Sequence, residues 1–376
     1  TAGRGNGKLA LEGLLDDWEE PIWPANLTRP WTYRGGHKRR DIFRNVVMGI
    51  SGTPMPVFAD PDPMAMAQEI EDPEERKEEE EAARELRENI WHVVNYVQSL
   101  WIHPEEPEVK SVLTAARIDG ALPRSPDDPA WLQVPANYYP LVGQVIEAPR
   151  LFTPMVVGIE VQAVHNGEAV AFRLVWDDRT ESKPGESEDG ETYADAVALQ
   201  FPSKPLEGRK KPYFLMGDAS NPTDLWYWRH DTGKTVLVQT QGYKTFQPGD
   251  NDGGIESQGG VEKDPKTGEP LALGQYRVVM RRALQTARAE EEIQFAAGAF
   301  IQFSLTVWDG SNGEHGGGKR TVMAWYNLYL EPEPSKAWIY LGLGGIAFGM
   351  LVQFSALYVT RQNHANGHTT NEQGRG

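Results

Sequence analysis

The fold of the middle of the chain is decided by Val156-Val157-Gly158-Ile159-Glu160-Val161-Gln162-Ala163-Val164 and by the run from Ala169 to Val175 that follows it. Apolar or β-branched residues recur in both stretches, and turn residues separate them. Further runs of this kind lie at 194–201, 235–240, 276–280 and 300–308. Short strands at this spacing are typical of an antiparallel sandwich or barrel. The sequence therefore predicts an antiparallel β-sandwich over residues 151–332, with the polar stretches 180–192 and 245–269 as surface loops.

Towards the C-terminus, an apolar run extends from Ala337 to Thr360 without a charged residue. As a helix it would rise about 36 Å, enough to cross a bilayer core of roughly 30 Å. More basic residues follow this run than precede it, which favours a cytoplasmic tail. We therefore predict a transmembrane helix at 336–360, a polar tail at 361–376, and soluble domains on the periplasmic side of a bacterial cytoplasmic membrane. A buried core helix is the alternative.

Before the predicted sheet, amphipathic helices are expected at 41–50 and 90–100, because apolar residues recur there three and four positions apart. The loop Gly52-Thr53-Pro54-Met55-Pro56 lies between them, and its prolines present Met55 rigidly. The stretch 69–88 is acidic and rich in Glu, Lys, Arg and Ala. This composition predicts a solvated helical insertion and not a functional site.

Composition excludes several classes of function. The chain of 376 residues has 54 acidic and 37 basic side chains, for a net charge of -17, which disfavours nucleic acid as a partner. It contains no cysteine, so disulfides, thiolate zinc sites, Fe–S clusters and covalent c-haem attachment are excluded within these residues. The sequence contains neither a nucleophile elbow nor a phosphate loop. We therefore predict no catalytic site.

The helical segments at the N-terminus carry three motifs at 41–49, 52–56 and 91–100. They resemble the D-I-F-x-x-I-x-x-G, G-T-P-M-P and W-x-x-V-x-Y-V-x-S-L motifs of class I c-type cytochromes, in the same order. The glycines between Thr1 and Gly7 are similar to the continuation of that family's haem-attachment motif, which would lie upstream of Thr1. The resemblance implies an α-helical cytochrome c-like domain over 1–103, with Met55 as the sulfur ligand of a c-haem iron. A loop-packing Met55 is the alternative.

A second set of strings runs through the middle of the chain. It consists of His165-Asn166-Gly167, Leu174 to Asp178, Ala196 to Pro202, Phe214 to Gly217, Asp224 to Trp228, Val307 to Gly310, and Lys319 shortly before Trp325. These strings resemble the b-haem subunit of ethylbenzene dehydrogenase and its relatives in nitrite oxidoreductase and in chlorate, selenate and dimethylsulfide enzymes. One methionine and one lysine ligate the b-haem iron in that family, and the matching positions are Met216 and Lys319. The resemblance therefore implies haem b bound by these two residues.

The chemistry of this ligand pair requires an enclosed site. Lysine ligates iron only as the neutral amine, so its pKa must fall from about 10.4, as burial would enforce. The glycines at 316–318 would let a porphyrin approach the backbone ahead of Lys319. By residue type alone, Met216 is more typical of a core and Lys319 of a surface. Three histidines, the commoner haem ligand, are weaker candidates: His165, His230 and His315.

The two resemblances together imply a membrane-anchored electron-transfer subunit, and not an enzyme, that relays electrons between haem b and haem c in a respiratory or molybdoenzyme-type complex. The expected partners are Fe–S and molybdopterin subunits or a respiratory membrane complex, with membrane lipid. The expected fold class is multidomain: the cytochrome c-like domain, a connecting segment at 104–150, the β-sandwich and the transmembrane helix. The alternative function is a haem-free β-sandwich binding or assembly module on a membrane stalk.

Overall fold

The computed structural model of the chain describes residues 3–5, 14–19, 22–58, 68–101, 108–178, 180–187, 190–204, 211–263, 274–334 and 337–369. Most of the predicted haem-attachment continuation between Thr1 and Gly7 lies outside these residues. The chain divides into two units, Thr1–Glu331 and Pro332–Gly376. Three α-helices are described: α1 is Arg39–Met48, α2 is Pro73–Ser99 and α3 is Ala337–Thr369.

The first unit is built mainly from β-strands. In chain order they are β1 Val112–Arg117, β2 Asn137–Pro140, β3 Val142–Gly143, β4 Gly158–His165, β5 Ala169–Asp177, β6 Gly185–Ser187, β7 Gly190–Thr192, β8 Ala196–Pro202, β9 Thr223–Arg229, β10 Lys234–Thr240, β11 Glu256–Val261, β12 Gln275–Ala283, β13 Phe300–Trp308, β14 Thr321–Val322 and β15 Tyr326–Leu330. The apolar runs at 156–164 and 169–175 correspond to β4 and β5.

Eleven strands form one continuous sheet in the order β10-β9-β8-β13-β15-β1-β4-β5-β12-β11, with β2 paired to β4 off this path. Most neighbours are antiparallel, but β1 pairs in parallel with both β15 and β4. The purely antiparallel sandwich that the sequence predicts is therefore wrong: a strand from the predicted connecting segment joins the two halves into one mixed sheet. Backbone pairing between distant segments is not visible in a local pattern.

The sheet folds around a main apolar core, in which residues from both of its halves meet. Phe172 of β5 lies edge-on to Trp226 of β9, with ring centroids 5.7 Å apart. Trp176 of β5 stacks on Tyr276 of β12 at 4.9 Å and lies edge-on to Trp228 of β9 at 6.3 Å. Burial of such large side chains contributes about 1.5–3 kcal/mol each to the hydrophobic stabilisation. This core fixes the positions of the strands that carry the candidate site.

Alternation along β8 gives that half of the sheet a second apolar face. Val197, Leu199 and Phe201 point into the main core, whereas Ala196 and Ala198 belong to a separate buried cluster on the opposite face. This division is expected because successive strand residues point to opposite sides of a sheet. The second face is covered by loops, and the candidate site lies beneath them.

The predicted fold class, with an α-helical cytochrome c-like domain first, is wrong. The described chain is mostly β, and the N-terminal helices lie in the same unit as the sheet. Their apolar faces pack on each other, with Phe43 of α1 stacked on Trp91 of α2 at 4.5 Å. The segment before α1 is held on β5 by an ion pair of 3.0 Å between Arg29 and Asp177. Local helical periodicity identified the helices but not what they pack against.

The predicted membrane helix and membrane localisation are also wrong. No helix in the described part of the chain is both long enough and apolar enough to cross a bilayer. The sequence prediction was based on the length of the apolar run and its lack of charged residues, but α3 also contains Gln353, Ser355 and Thr360 and continues past Arg361. The hydroxyl of Ser355 donates to the carbonyl of Leu351 at 2.8 Å.

Candidate functional site

Met216 has a backbone conformation that is unusual for its residue type. Its φ is +65°, in the left-handed region, and its side chain is fully buried. A non-glycine residue held in this way costs on the order of 1–3 kcal/mol, so the surrounding structure must impose it. The next residue, Gly217, also has a positive φ, and its N–H donates to the carbonyl of Tyr213 at 2.8 Å. This tight turn directs Met216 onto the second face of the sheet.

The Met216 side chain lies in a small cluster separate from the main core. The buried members are Ala196, Ala198, Leu225, Tyr227, Val238 and Trp308, and the partly buried Val236, Tyr243 and Phe246 pack against them. Three of the aromatic rings contact one another: Tyr227 lies edge-on to Trp308 at 5.1 Å, and Phe246 stacks on Trp308 at 5.6 Å. The thioether is therefore in an apolar, aromatic environment without access to water.

Lys319 lies near the end of the segment that links β13 to β14. It is half-buried, and its Nζ donates to the carbonyl of Asn312 at 2.6 Å, so the amine is bonded to its own loop. His315 and Lys319 close this loop with a two-residue β-bridge. Trp308 is tied to the same loop because its Nε1 donates to the carbonyl of Gly316 at 2.9 Å.

The loops that carry Met216 and Lys319 converge on the turn at Gly242 and Tyr243. The N–H of Gly242 donates to the carbonyl of Met216 at 2.8 Å. Gly317 packs so closely on Tyr243 that a Cβ there would lie 1.9 Å from the Tyr243 carbonyl oxygen. Gly317 is thus required by packing within the chain itself.

A cavity of about 260 Å³ opens beside this junction. Its walls include Tyr227, Phe246, Trp308, Glu314, His315 and Gly316. Tyr227 and Trp308 belong both to this wall and to the cluster around Met216. The cavity is smaller than the roughly 300–1,000 Å³ of small-molecule sites, so a porphyrin would fit only if the lining loops moved apart.

Two buried polar side chains on this face have donors or acceptors without partners in the described structure. Both amide atoms of Gln200 lack a hydrogen bond, and so does Nη2 of Arg320. Arg320 is fully buried, which lowers its pKa to about 9, and its Nη1 donates to Thr306 at 2.8 Å. Orphaned buried groups are uncommon and indicate a missing partner. With the soft sulfur and the amine, they are compatible with a bound haem.

Met55 lies elsewhere in the fold. Its carbonyl accepts a hydrogen bond from the N–H of Ile50 at 3.4 Å, and its own N–H donates to the hydroxyl of Thr53 at 3.3 Å. Its side chain is half-buried. Among the described residues, no hydrogen bond or apolar cluster links Met55 to the loops of Met216 and Lys319.

The three histidine candidates have other partners. His165 is buried, its Nε2 lies 2.8 Å from the carbonyl oxygen of Glu331, and burial lowers its pKa. His230 is 2.8 Å from the carboxylate of Glu181. His315 stacks on Tyr193 at 3.9 Å and lines the cavity.

Sequence reasoning missed a group of buried acids next to the cavity. Carboxylate oxygens of Asp178, Asp195 and Asp309 lie within 4.8 Å of one another, and all three side chains are buried. Burial, together with the neighbouring acids, raises the pKa of Asp178 well above its usual value and that of Asp195 to about 7. Burial and the nearby Asp309 raise the pKa of Glu314 to about 8. The pair Asp177-Asp178 was visible in the sequence but is more typical of a turn.

Comparison with known proteins found a family model and relatives that match the middle of the chain. Residues 128–273 match the family model of ethylbenzene dehydrogenase. The matched residues contain Met216, β4 to β11 and the buried cluster around Met216 with the exception of Trp308. The chain is 29% identical over 212 residues to the respiratory nitrate reductase heme subunit ORF7 of Haloferax mediterranei, covering 56% of this chain and 70% of that protein. It is 25% identical over 226 residues to the chlorate reductase subunit gamma of Ideonella dechloratans, covering 59% of this chain and 86% of that protein.

These relatives agree with the resemblance found in the middle of the sequence. One is named as the heme subunit and the other as the gamma subunit of a reductase, which agrees with an electron-transfer subunit. They lend no support to the resemblance of the N-terminal residues to class I c-type cytochromes.

Among solved structures, a carbohydrate binding module family 9 of Caldicellulosiruptor kristjanssonii, in complex with cellotriose, matches 60% of this chain and 96% of its own with a TM-score of 0.36 and 12% identity.

Proposed function

We propose that the chain is a haem-carrying electron-transfer subunit of a reductase complex, with haem b bound between Met216 and Lys319. The names of the nitrate reductase heme subunit and the chlorate reductase gamma subunit support the general role. The observation that carries the proposal is the strained, buried Met216 beside an aromatic cavity onto which the Lys319 loop also converges. The expected partners are an Fe–S subunit and a molybdopterin catalytic subunit.

The residues have distinct roles in this proposal. Met216 supplies a polarizable thioether that favours the reduced iron and raises the reduction potential, and its tight turn holds the sulfur in place before haem arrives. Lys319 supplies the second ligand after its amine leaves the carbonyl of Asn312. Tyr227, Phe246 and Trp308 exclude water from the site. When bound, haem supplies reversible one-electron transfer.

The test is reconstitution of the purified full chain with haem b. We expect one haem per chain, with the optical and paramagnetic-resonance spectra of six-coordinate low-spin iron. Replacing Lys319 by Ala should give high-spin iron or loss of haem, because the second ligand is removed. Lys234 is exposed on β10, and Lys234→Ala is the matched control that should leave the spectra unchanged.

Two results would contradict the proposal. The first is a chain that stays colourless after reconstitution, as the haem-free binding module predicts. The second is a low-spin spectrum that survives unchanged in Lys319→Ala, which would show that another residue ligates the iron. His315 is the first alternative to test because it lines the cavity.

A c-type haem ligated by Met55 is a separate proposal. It is supported by the tight packing of the loop between Gly49 and Pro56, where a Cβ added at Gly49 would lie 2.6 Å from the carbonyl oxygen of Met55. This close packing holds the methionine in a defined place. The test has two parts: a pyridine haemochrome spectrum of the native protein shows whether a c-type haem is present, and the absorption spectrum of the folded protein should change in Met55→Leu if the sulfur ligates the iron. Absence of a c-type band rejects it.

A further inference from the structure

The buried acids Asp178, Asp195 and Asp309 come from three strand ends. Asp178 follows β5, Asp195 precedes β8 and Asp309 follows β13. Asp195 and Asp309 are brought together because Trp308 pairs with Ala196 in the sheet. Asp178 comes from the other half of the sheet, so the group spans the two halves at one end of the core.

One oxygen of this group has no partner. Oδ2 of Asp178 is buried and accepts no hydrogen bond from the described part of the chain, and the whole side chain is only 3% exposed. Its other oxygen, Oδ1, accepts from the N–H and the hydroxyl of Thr180 at 3.1 and 3.3 Å. A buried carboxylate oxygen with no donor costs about 1–3 kcal/mol or more, and this cost is removed either by a proton on the carboxyl group or by a bound cation.

The donors around the other two acids are all neutral. Asp195 accepts from the N–H of Gly310 at 2.8 Å, the N–H of Ser182 at 2.6 Å and the hydroxyl of Tyr276 at 2.7 Å. Asp309 accepts from the N–H and hydroxyl of Ser311 at 2.9 and 2.6 Å. Within the described residues, no lysine or arginine forms an ion pair with any of the three. Like charges this close, without a counter-charge, repel strongly in a buried site.

The ligand chemistry favours one type of ion. Oxygen is the only ligand atom the group offers, which favours Ca²⁺, Mg²⁺ or Mn²⁺ over zinc, copper or iron. Ca²⁺ binds oxygen at 2.3–2.6 Å, so ligands on opposite sides of the ion lie up to about 5 Å apart, as wide as the 4.8 Å spread of this group. Mg²⁺ binds at about 2.1 Å and keeps most of its water, which suits a dry pocket poorly.

We propose that Asp178, Asp195 and Asp309 bind one Ca²⁺ ion, which joins the two halves of the sheet and anchors the start of the loop that ends at Lys319. Asp309 is the first residue of that loop, and its side chain also caps the short 3-10 helix Gly310–Asn312. The bound ion holds this loop at Asp309, the end opposite Lys319. The effect of the ion on haem retention rests on the function proposed above, but the binding of Ca²⁺ to the three acids does not.

The experiment uses the full chain without haem, so that it is independent of the haem proposal. After treatment with a chelator, Ca²⁺ binding is measured by titration calorimetry, and thermal unfolding is followed with and without Ca²⁺. We expect one ion per chain, and Ca²⁺ at 100 times its dissociation constant should shift the folding equilibrium about 100-fold. Tb³⁺ in the site should luminesce on excitation of the aromatic residues, because Tyr276 contacts Asp195 and stacks on Trp176.

The decisive variant is Asp178→Asn, which keeps the shape of the side chain and loses no hydrogen bond at Oδ2. It should abolish both the Ca²⁺ response and the Tb³⁺ signal, whereas Asp119→Asn, at an exposed position, should keep both. Equal responses of the wild type and Asp178→Asn would overturn the proposal, and so would stabilisation by Mg²⁺ alone. Metal analysis of the native chain, purified without chelator, gives a test that does not depend on any variant folding.

Discussion

The most direct test of the site is the substitution Met216→Leu. Leucine has nearly the volume of methionine, and both must adopt the same positive φ of +65°, so the backbone strain is unchanged. The substitution removes only the sulfur. Met280 is an equally buried methionine in the main core, and Met280→Leu is therefore a matched control.

The expected changes in unfolding free energy and in reduction potential distinguish the role of Met216 as an iron ligand from its role in packing. A Leu-for-Met exchange in a core costs less than about 1.5 kcal/mol, and we expect both variants without haem to lose no more than this in unfolding free energy. In a unit of this size, that is a few degrees in melting temperature. With haem bound, Met216→Leu should also lower the reduction potential, because the thioether stabilises the reduced iron, and should weaken the low-spin spectrum.

Spectroelectrochemical titration of the reconstituted chain measures this difference. The reasoning fails if Met216→Leu and Met280→Leu have the same potential and the same spectrum as the wild type. It also fails if Met280→Leu alone changes them, since Met280 faces the main core and not the cavity.

Three further predictions address the surroundings of the site. In chelator, the contribution of Asp195 to stability should be greatest at low pH and should be lost as the pH rises through its raised pKa of about 7, because the folded state holds a proton that the unfolded chain releases. The raised pKa of Asp178 acts in the same direction. Urea unfolding at pH 5 and 8 measures this decline in stability. In Asp178→Asn the decline should be shallower, and an unchanged slope would contradict the assignment. Gly317→Ala should destabilise the fold by about 1–3 kcal/mol, since its Cβ would collide with the carbonyl of Tyr243, whereas Gly249→Ala meets nothing within 4 Å and should be neutral in the same unfolding assay.

The strands were predictable wherever a local pattern encodes them. The runs at 156–164 and 169–175 became β4 and β5 with little change at their ends, because alternating β-branched residues suit a pleated sheet whose inner face is buried. The stretch 245–269 was predicted as a loop, yet it contains β11. Gly259 and Gly260 have no β-propensity, and that strand forms because its backbone pairs with β12.

The candidate site was named through resemblance, and its physical basis emerged only in three dimensions. By residue type Met216 is an ordinary core methionine, and no pattern predicts its positive φ. The acids at 178, 195 and 309 are far apart along the chain, so only the sheet register brings them together. Helical periodicity predicted α1 and the C-terminal part of α2, and composition predicted a helix in the acidic part that continues into it, but neither could tell a separate domain from two helices attached to a larger sheet.

The parallel strand β1 has a consequence for how the protein is made. Its pairing is complete only when β15 is available beside it, and the N–H of its last residue, Arg117, donates to the carboxylate of Glu331 across 214 positions of sequence. Contacts of such long range are slow to form. A ribosome will therefore have released nearly the whole sheet before the two halves can be joined, and the loop ending at Lys319 is among the last parts to arrive. In the proposed site, haem can therefore be held by both ligands only after the chain has been made through Lys319, near the end of the sheet.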